Sequence, residues 1–169
     1  RAGSWMEVVD GADAVVHLAG AGVVDERWTA ERKELLRSSR IDSTRLVAEA
    51  IVAAKRRPAV FVSASAVGIY GTRTGDRIVT EEDSAGDDFL ATLTRDWEAA
   101  AEPAGAAGVR VCHPRTGLVL GRDGGLFARL APIFRAFVGG PVGHGSQYVP
   151  WVHVRDVVRA IEAMIDRPD

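Results

Sequence analysis

Three runs, each ending on small or hydroxyl-bearing residues, constrain the fold of this chain most. They are DAVVHLAG (13–20), AVFVSAS (59–65) and VRVCHPRTG (109–117). Each has strand length and stops at glycine or serine, and the first two are mostly apolar, which reads as buried strands. Between the first two lie ERKELLRSS and SRIDSTRLVAEAIVAAKRR. In the second of these, Leu46, Val47, Ala50, Ile51 and Ala54 fall at helical spacing, and Pro58 marks the end. A polar, glycine-bearing loop from Gly68 to Asp87 then leads into DDFLATLTRDWEAAAEPAG. Its acidic start suits the positive end of a helix, and Gly105 suits its close. Strand, helix, strand, helix, strand predicts an α/β fold with a parallel sheet covered on both faces.

The remainder continues that pattern. VRVCHPRTGLVLG reads as the third strand with its exit loop, and GLFARLAPIFRAFV as a helix interrupted near Pro132. GGPVGHGSQYVPWVHV is loop and short strand, and VRDVVRAIEAMID is a closing amphipathic helix. With 169 residues the chain suits one domain, 1–169, with a real core. A net charge of -2 offers no electrostatic ground for nucleic acid or an anionic membrane as partner. The single cysteine, Cys112, excludes an internal disulfide framework and fits a reducing cytoplasm, the expected location. No apolar run approaches the ~20 residues of a membrane span. His17, His113, His144 and His153 show no metal-like spacing, so no metal is expected. His17 and His113 read as satisfied core residues, and Cys112 as a small buried side chain in a central strand.

Ligands of parallel sheets sit beyond the carboxyl ends of the strands. HLAG, VSAS and PRTG put small or hydroxyl residues at three such ends in order, which makes a site there the expectation. At this level the chain resembles the extended short-chain dehydrogenase/reductases, the group that contains nucleotide-sugar epimerases. VVHLAG, FVSASAVGIYG, HPRTGLVLG and PWVHVRDVVRAI are similar to successive motifs of that group. SRIDST, DWEAAA, GGPVG and PWVHV resemble its atypical "epimerase family protein" branch in particular. The resemblance spans nearly the whole chain. It implies a Rossmann-like doubly wound parallel sheet and a nicotinamide dinucleotide, NADP(H) ahead of NAD(H).

Two departures from the wider group stand out. No glycine cluster here reads GxxGxxG, the turn that delivers a pyrophosphate to a helix N-terminus. The resemblance therefore implies that the N-terminal glycine-rich start of the fold lies upstream of Arg1, together with the residue that separates NADP from NAD. Nor is there a YxxxK pair. Thr29 and Ile51 stand four residues before Lys33 and Lys55, and Thr74 and Val152 four after Tyr70 and Tyr148. Registering the helix by WEAAA places Leu93 and Trp97 where that tyrosine and lysine would fall.

The resemblance implies roles for particular residues, each with an ordinary structural alternative. Ser65 matches the serine that hydrogen-bonds the reacting oxygen, or else shapes a turn. Tyr70 would supply a phenol near the nicotinamide, or else shape the loop. Leu18, Ala19 and Gly20 match backbone lying along the cofactor, and Ser63 belongs to the same strand-end set. Arg40 would reach a cofactor phosphate or ribose, against a solvated helix arginine. Arg115, Thr116, Gly117 and Leu118 match the loop flanking the nicotinamide. His144 and Gln147, in the glycine-rich loop 139–147, would bind a polar substrate, so that 1–169 would be a partial NAD(P)-binding Rossmann-like domain with 139–152 contributing to its substrate side. His153 and Asp156 read as mainly structural, with Asp156 at a helix start. Trp28, Trp97 and Trp151 read as core packing.

The function so implied is that of an NADP(H)-dependent oxidoreductase or epimerase for a small polar substrate, with Ser65 and Tyr70 as catalytic residues. A dinucleotide-binding sensor that has lost catalysis is the rival. Helices on such folds often pair, which leaves a homodimer open.

Overall fold

The computed structural model describes residues 3–72, 74–121, 125–141 and 145–167. After a 3-10 helix at Ser4–Val9 come β1 (Ala14–His17), α1 (Ala30–Ala53), β2 (Val60–Ser63) and β3 (Ser65–Ala66). A 3-10 turn, Val67–Tyr70, and a long loop lead to α2 (Phe89–Ala99) and α3 (Glu102–Ala106). Then follow β4 (Arg110–Cys112), β5 (Arg115–Thr116), β6 (Leu118–Leu120), α4 (Gly125–Arg135), β7 (Trp151–His153) and α5 (Val154–Asp166).

Every strand pairing is parallel. β2 lies between β1 and β4, in register from Ala14↔Val60 to His17↔Ser63 and from Val60↔Arg110 to Val62↔Cys112. β3 pairs with β5, and β6 with β7. The expected α/β fold with parallel strands is the one observed. All four residues of β2 are buried, as a central parallel strand requires.

One helix serves both halves of the core. α1 contributes Ala48, Ala50 and Ile51 to a cluster with Val9, Phe61, Ala101, Ala104 and Val109. It contributes Leu36 and Ile41 to a second cluster with Leu93, Trp97 and Ala100. Its start is capped by Thr29, whose hydroxyl accepts from the Arg32 amide at 3.1 Å. The two segments expected before Pro58 are thus one helix of 24 residues.

Other boundaries differ from the sequence pattern for local reasons. The helix expected over 87–105 breaks at Ala100–Ala101, and Pro103 starts the short α3. Gly105 lies inside α3, and Gly108, at φ +88°, takes the left-handed conformation beyond it. The third strand is cut into β4, β5 and β6 around Pro114 and Gly117. The Pro114 carbonyl accepts from the amides of Ser65 (3.1 Å) and Thr116 (3.0 Å). β4 is an edge strand of its sheet, not the central one, so Cys112 is half-buried. The cap of α5 is His153, whose Nδ1 accepts from the Arg155 amide at 3.2 Å, rather than Asp156. Of the three tryptophans read as core, Trp97 is buried, whereas Trp28 and Trp151 are exposed.

Candidate functional site

The break between β2 and β3 puts Ser65 directly opposite Arg115 on β5, with Ala66 opposite Thr116. The Ser65 amide is held by the Pro114 carbonyl, and the Thr116 hydroxyl donates to the Ser65 carbonyl at 3.3 Å. Immediately beyond β3 the 3-10 turn carries Tyr70. From the other side α2 presents Glu98. Four elements therefore converge on one polar cluster: Ser65, Tyr70, Glu98 and Arg115.

The cluster is closely bonded. Arg115 donates through Nε to Glu98 Oε1 and through Nη2 to Glu98 Oε2, both at 2.9 Å. This two-point fork is the strongest geometry available to the pair. The Ser65 hydroxyl donates to Glu98 Oε1 at 2.5 Å. The remaining arm, Nη1, donates to the Tyr70 phenol oxygen at 2.9 Å and to the Glu81 carbonyl at 3.4 Å. The guanidinium also lies 5.4 Å from the centre of the Tyr70 ring.

Burial and pairing oppose each other at Glu98. Burial raises its carboxyl pKa, but hydrogen bonds from Arg115 and Ser65, with the charges of Arg115 and His113, outweigh it and hold the pKa below the usual carboxylate value. Arg115 is pushed the other way, above the ordinary arginine value, chiefly by its bonds to Glu98. Both shifts favour the ion pair. Ser65 is buried at 2 % exposure, whereas the side chains of Glu98 and Arg115 are 16 % and 25 % exposed. Tyr70 lines a cavity of about 520 Å³ with Gly71, Thr72, Thr74, Arg77 and Asp88 among the walls. Asp88 secures one wall by accepting from the Thr72 amide at 2.8 Å while capping α2.

The other expected residues fall into separate groups. Leu18, Ala19 and Gly20 are exposed at the carboxyl end of β1. The loop they open is clamped from α1, because Ser39 accepts from the Ala21 amide (3.1 Å) and Arg40 donates to the Ala21 carbonyl (2.9 Å). Arg40 is buried rather than solvated. It donates to the Leu36 carbonyl, lies 5.2 Å from the Trp97 ring and has its pKa lowered by desolvation and the nearby Arg32 charge. Ser63 is fully buried at the end of β2, and its hydroxyl has no partner among the described residues. Gly117 is dictated by packing, since a Cβ there would stand 2.5 Å from the Pro150 carbonyl oxygen. Leu118 donates from its amide to that same oxygen at 2.9 Å. Gln147 is exposed, and His144 lies outside the described residues.

Two sequence readings gain a physical reason. His17 is buried, bonded through Nε2 to the Ser43 hydroxyl at 3.0 Å, and its pKa is lowered by burial. Leu93 and Trp97, which the resemblance assigns to the YxxxK register, sit in the core, and Trp97 Nε1 donates to Thr44 at 2.8 Å. Sequence reasoning missed Glu98. Its neighbour Trp97 marks the helix register, but only the fold reveals that the next residue faces Arg115 from seventeen positions away.

The strand ends suit a dinucleotide. The exposed segment Leu18–Ala19–Gly20 follows His17, which pairs in register with Ser63, whose hydroxyl is buried without a partner among the described residues. Among the described residues, no helix is long and apolar enough to cross a membrane, and no group of three or more His, Cys, Asp or Glu is placed to hold a metal.

Comparisons with known proteins agree with this architecture. The family model for the NAD dependent epimerase/dehydratase family matches residues 1–169. The chain is 44% identical over 157 residues to the epimerase family protein Mb2239 of Mycobacterium bovis, covering 93% of this chain and 51% of that protein. The crystal structure of the human epimerase family protein SDR39U1 (isoform 2) with NADPH superposes with a TM-score of 0.87 at 32% identity, covering 96% of this chain and 57% of that one. The nucleoside-diphosphate sugar epimerase of Corynebacterium glutamicum superposes with a TM-score of 0.83 at 39% identity, covering 96% and 34%. The chain thus spans about half the length of the curated relatives it matches. With its parallel strands, its ordered strand ends and a match along its whole length, the chain belongs to the NAD dependent epimerase/dehydratase family.

Proposed function

We propose that the protein containing this chain is an NADP(H)-dependent oxidoreductase or epimerase acting on a small polar substrate. The carrying observation is Tyr70, a phenol fixed by Arg115 on the wall of a polar cavity, just beyond the carboxyl end of a strand. The human relative solved with NADPH supports that cofactor, and a neighbour from Bacillus cereus solved with NAD keeps the second cofactor in the test.

In this reading the exposed backbone at Leu18–Gly20 and the Ser63 hydroxyl hold the cofactor. Arg40 supports it indirectly by clamping Ala21. Thr116, Gly117 and Leu118 shape the loop beside the nicotinamide, and Gln147 with His144 serves the substrate. The bound cofactor supplies the hydride chemistry. Tyr70 exchanges the proton, and Ser65, bonded to Glu98, steadies the reacting end. The cytoplasm is the proposed compartment.

Fluorescence titration of the full-length protein with NADPH and NADH, following tryptophan quenching, tests the cofactor. An NADPH-coupled screen of aldehydes and ketones then tests turnover. Saturable binding with turnover of at least one carbonyl supports the proposal, and binding of neither dinucleotide overturns it.

The burial of Leu93 and Trp97 where the wider group carries tyrosine and lysine favours a second reading, a dinucleotide-binding sensor. Tight binding with no turnover across the screen would select it.

A further inference from the structure

Arginine has five N–H donors and no acceptor. The Tyr70 oxygen accepts from Arg115 Nη1 at 2.9 Å, so the phenol hydrogen cannot be directed at that guanidinium. Arg115 itself has little freedom. Two of its nitrogens are engaged by Glu98, and a third contact reaches the Glu81 carbonyl. Glu98 is equally committed, because Oε1 accepts from both Arg115 and Ser65 while Oε2 accepts from Arg115. A carboxylate filled in this way is a fixed anion rather than a proton carrier. The line Ser65–Glu98–Arg115–Tyr70 therefore has one member whose proton is free to be used, and that member lines the cavity.

We propose that Arg115, locked by Glu98, is the positioning residue for Tyr70. It sets the positive charge beside the phenol that a YxxxK lysine would otherwise supply, and it turns the phenol hydrogen toward the cavity. The inference rests on the reading of Tyr70 as proton donor. In the reduction direction the Tyr70 O–H bond breaks and its proton goes to the substrate carbonyl oxygen. That oxygen takes the carbonyl electron pair as hydride arrives at the carbon, with reduced nicotinamide as the reductant. The phenolate left behind faces the Arg115 charge, whose own counter-charge is Glu98, and water returns the proton. Positive charge held in advance where negative charge develops is an effective catalytic arrangement. The cation here comes from a strand, not from the helix that carries Leu93 and Trp97.

The test uses full-length protein carrying tyrosine labelled with 13C at Cζ, a nucleus that responds to hydrogen bonding at the phenol oxygen. The Tyr70 resonance is assigned with Tyr70→Phe. The expected result is that Arg115→Met and Glu98→Gln both move the Tyr70 signal in the same direction. Arg115→Lys should restore part of the wild-type position, and the double variant Arg115→Met/Glu98→Met, which leaves no unpaired charge, should resemble Arg115→Met. NADPH affinity should stay within about threefold in all of them. A Tyr70 signal unmoved by Arg115→Met and by the double variant overturns the inference. So does a tenfold or greater loss of NADPH affinity with the signal unmoved, which would make Arg115 a cofactor ligand and leave the proposed function standing. Failure of the wild-type protein to bind NADPH while the Tyr70 signal follows Arg115 overturns the proposed function and, with it, the catalytic use assigned to Arg115.

Discussion

At Glu98, hydrogen bonding outweighs burial, and the balance has a pH consequence. Its folded pKa is depressed, so its stabilising contribution is fully present above the unfolded carboxylate value and is lost as pH falls through the folded one. His17 has the same sign, because burial lowers its pKa, and its contribution begins to fade below the ordinary imidazole value of about 6.5. Denaturant melts should show stability falling first as pH drops below the ordinary imidazole value and again in the acid range. Glu98→Gln should flatten the acid limb alone; an unchanged acid limb would remove Glu98 from this account. At pH 7, Glu98→Ala should cost about 1–3 kcal/mol, between the ranges for exposed and buried pairs, because Arg115 is left unpaired. Tyr70→Phe should lower kcat at least ~100-fold on any carbonyl turned over, while costing only about 0.5–1.5 kcal/mol of stability through the lost bond from Arg115. A smaller kinetic effect would move proton transfer elsewhere.

Packing and caps decide the behaviour of the elements. Trp97 joins α2 to α1 through the core and through its bond to Thr44, so Trp97→Ala should cost ~3–5 kcal/mol in urea unfolding. Gly117 stands where the Pro150 backbone comes too close for a side chain. Gly117→Ala must therefore displace the β7 approach, at a cost of ~1–3 kcal/mol. The loss should be accompanied by faster amide exchange at Leu118, whose bond to Pro150 would be disturbed first. Unchanged exchange at Leu118 would show that the Pro150 segment accommodates the methyl group. The sequence pattern placed α1, α2 and α5 on the chain because hydrophobic spacing and caps are local signals. Their ends were less legible: Asp156 looked like the cap of α5, but His153, one residue before the helix, makes the bond.

For the whole molecule, the relevant comparison is between this chain and the longer proteins to which it is related. The chain spans about half their length and contains no GxxGxxG turn. If the proposed function holds, the isolated 169-residue chain should bind NADPH at least about 100-fold more weakly than a full-length protein of the relatives' size. That ratio corresponds to losing two charge-assisted phosphate bonds of ~1.5 kcal/mol each. Titration calorimetry of both would measure it, and equal affinities would place the phosphate anchor inside residues 1–169.

The alternation of strand-length runs with helices of regular spacing was enough, by itself, to determine a parallel α/β fold, because a strand buried on both faces, as β2 is, must be apolar along its length. It also determined the family, because HLAG, SAS, RTG and WVHV occur in order. It showed that YxxxK was missing and left the cation beside Tyr70 unassigned. Only the tertiary structure decided that point. Arg115 lies forty-five residues from Tyr70, and Glu98 seventeen from Arg115. No periodicity connects them; they meet because β3 and β5 pair in parallel and α2 packs across their ends. Local spacing records which face of an element is buried, whereas a charge network spanning three elements exists only once they are packed.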